Sequence, residues 1–110
     1  MSRPGKDVLQ GTLEMLILRA LRPGPLHGYG IVKHIQQVSD DALRVEEGSL
    51  YPALHRLEQE GWILAEWRAS ETGRRAKFYG LTQTGEKRLA EEQENWRKLT
   101  RAVGRVLRFA

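Results

Sequence analysis

Two stretches of the chain hold side chains whose types and spacing suit a binding chemistry. The first is Gly48-Ser-Leu-Tyr-Pro-Ala-Leu-His-Arg-Leu-Glu-Gln-Glu60, followed by Gly61. Leu50, Ala53, Leu54 and Leu57 recur at helical spacing and form one apolar stripe, which leaves Tyr51, His55, Arg56 and Gln59 to the opposite face. An aromatic ring, an imidazole, a guanidinium and an amide on a short helix can reach base edges in a major groove. The same four also suit a solvated surface, the commoner state of a polar helix face. The second stretch is Arg68-Ala-Ser-Glu-Thr-Gly-Arg-Arg75 with its flank. There Arg68, Arg74, Arg75 and Lys77 stand against Glu71 alone. Clustered cations attract phosphates, and they also guard edge strands against pairing with other chains.

Other chemistries lack their parts. A nucleophilic or acid–base site would draw on Ser49, His55 and nearby glutamates, but Ser49 is better used as a helix cap, and no Gly-rich phosphate loop occurs. His27, His34 and His55 have no metal-ligand spacing. With no cysteine, thiol nucleophiles, disulfides and zinc-thiolate sites are excluded. The sequence therefore predicts no catalytic residue, no metal and no cofactor. Its 110 residues suffice for one domain with one modest core. Lys plus Arg number 18 against 14 for Asp plus Glu, a net charge of +4, which allows nucleic acid as a partner without requiring it. No apolar run reaches membrane-spanning length, and Met-Ser-Arg-Pro-Gly-Lys-Asp lacks the apolar stretch of a signal peptide, so a cytoplasmic protein is expected.

The elements that must position these side chains are legible in order. Residues 1–7 read as a flexible basic arm. Leu9, Leu13, Leu16, Ile17, Ala20 and Leu21 then mark a helix capped by Asp7 or Thr12 and stopped by Pro23-Gly24-Pro25. Leu26 to Val38 reads as a second helix with Ile31, Ile35 and Val38 on one face. Gly28 and Gly30 would each cost it about 1 kcal/mol relative to alanine, so a close approach by a phosphate or a neighbouring helix is expected there. Leu43 and Val45 anchor a polar connection to the third helix, for which Ser49 is the expected N-cap, Pro52 a first-turn residue and Gly61 the left-handed C′ position. Trp62–Trp67 and Ala76–Leu81 read as strands of a hairpin, with Gly73 at the turn.

A last helix is expected from Thr82. Leu89, Trp96, Val103 and Ala110 lie seven apart with Leu99 and Val106 between them, the spacing of a helix that packs along another. Glu86, Glu91, Glu92 and Glu94 precede Arg97, Lys98, Arg101, Arg105 and Arg108, a polarity that suits the helix dipole. Gly104 and Glu92 argue against a long coiled coil, so a short dimerising helix over 83–110 is expected, with Leu89, Trp96, Leu99, Val103 and Val106 at the interface. Helix, helix, helix, basic hairpin, helix is the order of a winged helix-turn-helix over 8–82, an α+β fold that is mostly α.

The chain resembles the PadR family of bacterial transcriptional regulators. The likeness is carried by Leu13-Glu-Met-Leu-Ile-Leu, Gly24-Pro-Leu-His-Gly-Tyr-Gly30 and Glu47-Gly-Ser-Leu-Tyr-Pro-Ala-Leu-His-Arg-Leu-Glu58. Gly61-Trp62, Arg74-Arg-Ala-Lys-Phe-Tyr79 and Leu81-Thr-Gln-Thr-Gly85 continue it. The resemblance implies a homodimeric repressor on double-stranded DNA at an inverted repeat. It carries DNA contacts onto Tyr29 of the second helix, onto Ser49, Tyr51 and Pro52 of the third with His55 and Arg56 nearby, and onto Arg75, Lys77 and Tyr79 of the wing beside Arg74. Trp96 is placed like the tryptophan with which some relatives stack planar hydrophobic molecules between subunits, although an aromatic at helical spacing more often packs as core. Phenolic-acid sensing belongs to members with a longer C-terminal region than the stretch to Ala110. The rival reading is a winged-helix module for protein contacts without specific DNA binding. A membrane-surface role for the basic tail is weaker still, for want of a second anchor.

Overall fold

The first helix, α1 (Lys6–Leu21), is the element against which the others pack. The computed structural model describes residues 6–109, with side-chain surroundings for 11–108, so residues 1–5 of the arm expected at 1–7, the side chain of Leu9 and Ala110 lie outside the described residues. Lys6 and Asp7 already belong to α1, and Thr12, the alternative cap, sits within the helix. Ile17, Leu18, Ala20 and Leu21 are buried, as is Met15. Met15 and Leu18 fall outside the expected stripe because α1 is covered on several sides, so its apolar surface is not confined to one face.

After Pro23-Gly24-Pro25 the chain does not enter a helix directly, as the sequence suggested. Leu26–His27 form a short strand, β1, paired antiparallel with the wing at Leu26↔Tyr79 and His27↔Phe78. The second helix, α2 (Gly28–Val38), follows, with Ile31 and Ile35 buried. Val38, expected on the same face, is 72% exposed at the last position of the helix. In the connection that follows, Asp40 and Asp41 take left-handed backbone conformations, with φ of 54° and 69°. The Asp41 carboxylate accepts hydrogen bonds from Gln36 Nε2 (2.6 Å) and Arg44 (2.9 Å), which hold it below the usual carboxylate range. Leu43 is exposed, so Val45 alone anchors this segment on the core.

The third helix, α3 (Glu47–Gln59), buries Leu50, Ala53, Leu54 and Leu57, the stripe expected of it. Its start lies earlier than expected. Glu46 is the N-cap residue, with its carbonyl accepting from the N–H groups of Ser49 and Leu50, so Ser49 is a first-turn residue and Pro52 lies inside the helix. Glu46 and Glu47 put negative charge at the positive end of the helix dipole, which favours this earlier start. At the other end Trp62 N–H reaches Leu57 O (3.1 Å), Gly61 N–H reaches Glu58 O (3.0 Å), and Gly61 has a φ of 77°. This is the Schellman arrangement, and it needs the residue that was expected at C′.

Strands β2 (Ile63–Ala69) and β3 (Arg75–Leu81) form the hairpin, with Gly73 at a φ of 83° in its turn. The sheet order is β1-β3-β2. The last helix, α4 (Gln83–Phe109), starts where Thr82 Oγ1 accepts from Gly85 N–H (2.9 Å) and donates to Gly61 O (2.7 Å). One hydroxyl thus caps α4 and ties it to the end of α3. Gly85 stands where a capping box would need a glutamate or glutamine, and the structure supplies the reason: a Cβ there would run into the carbonyl oxygen of Trp62. The result is a mostly helical α+β winged helix-turn-helix with a long C-terminal helix, 55 Å in its longest extent.

Gly85→Ala is expected to destabilise the fold by about 3 kcal/mol, since backbone rather than a flexible side chain must move. Gly11→Ala, with no other part of the fold among the described residues within 4 Å of the added methyl, should stabilise it by up to about 1 kcal/mol. Urea denaturation of the two variants checks both signs.

A candidate nucleic-acid interface

The N-terminal end of α2, Tyr51 of α3 and the wing strand β3 border a groove of about 380 Å³. Strand parity places Tyr79, Lys77 and Arg75 of β3 together on one side of the hairpin. The register pairs Ile63 with Leu81, Ala65 with Tyr79, Trp67 with Lys77 and Ala69 with Arg75, so these residues share one face of the hairpin. Near the base of the wing that face closes the core through Ile63 and Tyr79. Further out it has no core to cover, and Lys77 and Arg75 line the groove instead. Arg68 lies on the other face, paired with Glu66 (2.8 Å) and resting over the Phe78 ring (5.8 Å). Of the four wing cations, Arg74, Arg75 and Lys77 therefore border the groove and Arg68 does not.

Several groove residues are held by their neighbours. The Arg75 guanidinium lies 5.8 Å over the Trp67 ring. Lys77 Nζ lies 5.7 Å over the Tyr79 ring and 3.8 Å from Glu58 Oε1, so one wing cation is tied to α3 itself. Tyr29 is 67% exposed, with Lys33 Nζ 5.9 Å over its ring. The close approach expected at Gly28 is made by α3, since a Cβ at that position would sit 3.0 Å from the Tyr51 hydroxyl. Ser49, Tyr51, Pro52 and His55 are exposed, as the helical wheel required. At this edge of the molecule, donors and cations from three elements converge on one concave surface.

Two candidates stand differently from expectation. Arg56 does not face outward: it is half-buried, and its Nε donates to Glu14 Oε2 of α1 at 3.0 Å. It lies at the margin of the stripe beside Leu57, where its long side chain reaches back to α1. Tyr79 is only 5% exposed, so no more than an edge of it reaches the groove it lines. Burial, then the charge of Glu58 and the neighbouring Tyr51, push its phenol pKa up, and it stays neutral at neutral pH. His27 and Trp67 were not among the sequence candidates. His27 lines the groove through β1, a strand the local pattern did not reveal, and Trp67 is 58% exposed on the groove-facing side of β2. Alternation along the hairpin was the signal that placed Trp67 with Lys77.

A second surface lies on α4. Trp96, Leu99, Val103, Val106 and Leu107 are exposed along its outer half. Leu89, expected at the head of the same seam, is 2% exposed and belongs to the protomer's own core. Among the described residues no group of histidines and acids could hold a metal ion, and no helix is long and apolar enough to cross a membrane.

The model of the transcriptional regulator PadR-like family matches residues 17–91, which include the groove, the wing and the start of α4. The chain belongs to this family. Its members are transcriptional regulators rather than enzymes, and the PadR-like chain described here is a DNA-binding transcriptional regulator. It is similar to the structure of a transcriptional regulator from Clostridium thermocellum, with 31% identity, a TM-score of 0.82, and coverage of 91% of this chain and 97% of that one. A transcriptional regulator of Mycobacterium tuberculosis is 31% identical over 98 residues, covering 89% of this chain and 88% of the relative. The negative transcriptional regulator PadR of Bacillus subtilis is 31% identical over 77 residues, which are 70% of this chain and 42% of that protein.

If Arg56 is a tether, Arg56→Ala and Glu14→Gln should each lower stability, and the double mutant should lose less than their sum by about 0.5–1 kcal/mol. Strict additivity in thermal unfolding would remove the tether.

Proposed function

We propose that the protein is a homodimeric repressor that occupies an inverted-repeat operator, with the α3 face and the wing of each protomer on one half-site. The observation that carries this reading is the convergence of Tyr29, Tyr51, Arg74, Arg75 and Lys77 on one groove beside the exposed face of α3. Ser49, Tyr51, Pro52 and His55 enter the major groove and read or flank base edges, while the wing cations and the edge of Tyr79 meet phosphates. Arg56 serves this contact from behind, by holding α3 on α1.

Dimerisation uses the outer half of α4, through Trp96, Leu99, Val103 and Val106. These four side chains and Leu107 form an exposed apolar row that is costly in water, and a symmetric partner would cover it. The functional boundary then falls within α4, after Leu89, because the inner turns of that helix belong to the DNA-binding core. Two α3 helices related by the two-fold axis would lie about 34–36 Å apart, one turn of duplex. Repression by occupancy agrees with the name of the Bacillus subtilis relative. A planar hydrophobic molecule stacking on Trp96 at the subunit boundary would change the angle between the halves and release the operator. The site of action is the cytoplasm, where the DNA is.

Titration against labelled DNA from upstream of its own gene, with unrelated competitor, should show protection of an inverted repeat at ~10³-fold or greater preference. Complete removal by competitor would favour a protein-binding role for the wing. Arg75→Ala should weaken all sequences about equally and lower the salt slope by about one; loss confined to one base pair would make it a base reader instead. Leu99→Glu with Val103→Glu should leave a folded monomer by light scattering, and a dimer that survives both charges would place the interface elsewhere.

A further inference from the structure

His27 borders the groove, and its ring is held in place on several sides. Its backbone is paired with Phe78 of the wing through β1. Its ring meets Phe78 edge-on at 5.3 Å and stacks near Tyr29 at 6.4 Å. Its Nδ1 accepts the N–H of Gly30 at 3.0 Å, which caps α2. A ring nitrogen that accepts carries no proton, so in the neutral imidazole the proton sits on Nε2. Nε2 makes no hydrogen bond within the described residues, and no buried side-chain nitrogen or oxygen there lacks a partner, so Nε2 reaches solvent. The fold therefore holds one N–H donor, of fixed tautomer and restricted orientation, at the edge of a groove shared with Tyr51, Arg75 and Lys77.

We propose that His27 is a DNA contact in its own right: its Nε2–H donates to a backbone phosphate of the bound duplex while its Nδ1 caps α2. The proposal rests on the groove being the DNA interface. Phosphate is favoured over a base edge because the groove is lined by cations and by the N-terminal end of α2, both of which attract anionic oxygens. The two nitrogens have separable duties. Losing Nδ1 removes a helix cap and costs stability, and losing Nε2–H removes a phosphate donor and costs affinity on any sequence.

Two substitutions separate them. His27→Asn places an oxygen where Nδ1 sits and keeps the cap, but has nothing at the Nε2 position. His27→Gln carries an amide N–H out to that position and leaves Gly30 without its acceptor. Binding is read at low salt on two labelled duplexes of equal length, one from upstream of the gene and one of random sequence. His27→Asn should melt closer to wild type than His27→Gln does and bind both duplexes about tenfold more weakly than wild type, the loss expected of one hydrogen bond to a charged group. His27→Gln should melt about 4–8 °C lower and yet bind both duplexes several-fold more tightly than His27→Asn. In the wild-type protein, ¹⁵N spectra of the imidazole should show Nε2 protonated and its proton shifting when duplex is added. Asparagine binding like wild type, glutamine binding no better than asparagine, or an Nε2 signal unmoved by duplex would each overturn the role of His27. Wild type binding neither duplex at low salt would overturn the reading of the groove itself, a result distinct from all of these.

Discussion

Burial of the α3 stripe against α1 is the contact on which the rest of the molecule depends. Leu50, Ala53, Leu54 and Leu57 are almost wholly buried among Ile17, Leu18 and Leu21. At roughly 1.5–3 kcal/mol for each large aliphatic side chain removed from water, this seam far outweighs any single polar contact on the surface. Its consequence is geometric. Once those four residues face α1, Tyr51, Pro52 and His55 must face outward, and the ion pair from Arg56 to Glu14 holds the helix at the same rotation. The outward face of α3 is what remains after the core is satisfied.

The wing is joined to this helix at both of its ends. Close to the core, the Schellman turn at Gly61 leads directly into β2, and Thr82 links the end of α3 to the start of α4 through one hydroxyl. Further out, Lys77 reaches Glu58 and β1 pairs with β3. Helix and hairpin are therefore joined at several points, an arrangement that suits the proposed meeting of both with one duplex. Two cations of the wing are also pre-oriented, Arg75 resting on Trp67 and Lys77 on Tyr79, so less side-chain freedom would be lost if a phosphate bound there.

The helix α4 changes character along its length. Its first turns supply Leu89 to the protomer's core, and its outer half carries an apolar row exposed to solvent. A single heptad spacing runs through both halves. Periodicity records that a helix has an apolar side, and it does not say whether that side is covered by the same chain or by another.

What the sequence determined by itself is what neighbouring residues decide among themselves. The α3 stripe, the left-handed positions at Gly61 and Gly73, the cap at Thr82 and the family motif from Glu47 to Glu58 were all legible, because helix period, backbone freedom and capping act within a few residues. Four features were decided only by tertiary structure. The strand β1 exists because β3, some fifty residues away in sequence, offers it hydrogen bonds. Arg56 turns inward because Glu14, 42 residues earlier, lies within its reach. Tyr79 is buried while Lys77 and Arg75, on the same face, are open to the groove, because the core ends partway along the hairpin. His27 comes to line the groove only when the wing strand β3 is brought against β1. In each case the deciding partner is distant along the chain, and no local pattern of residue types can announce it.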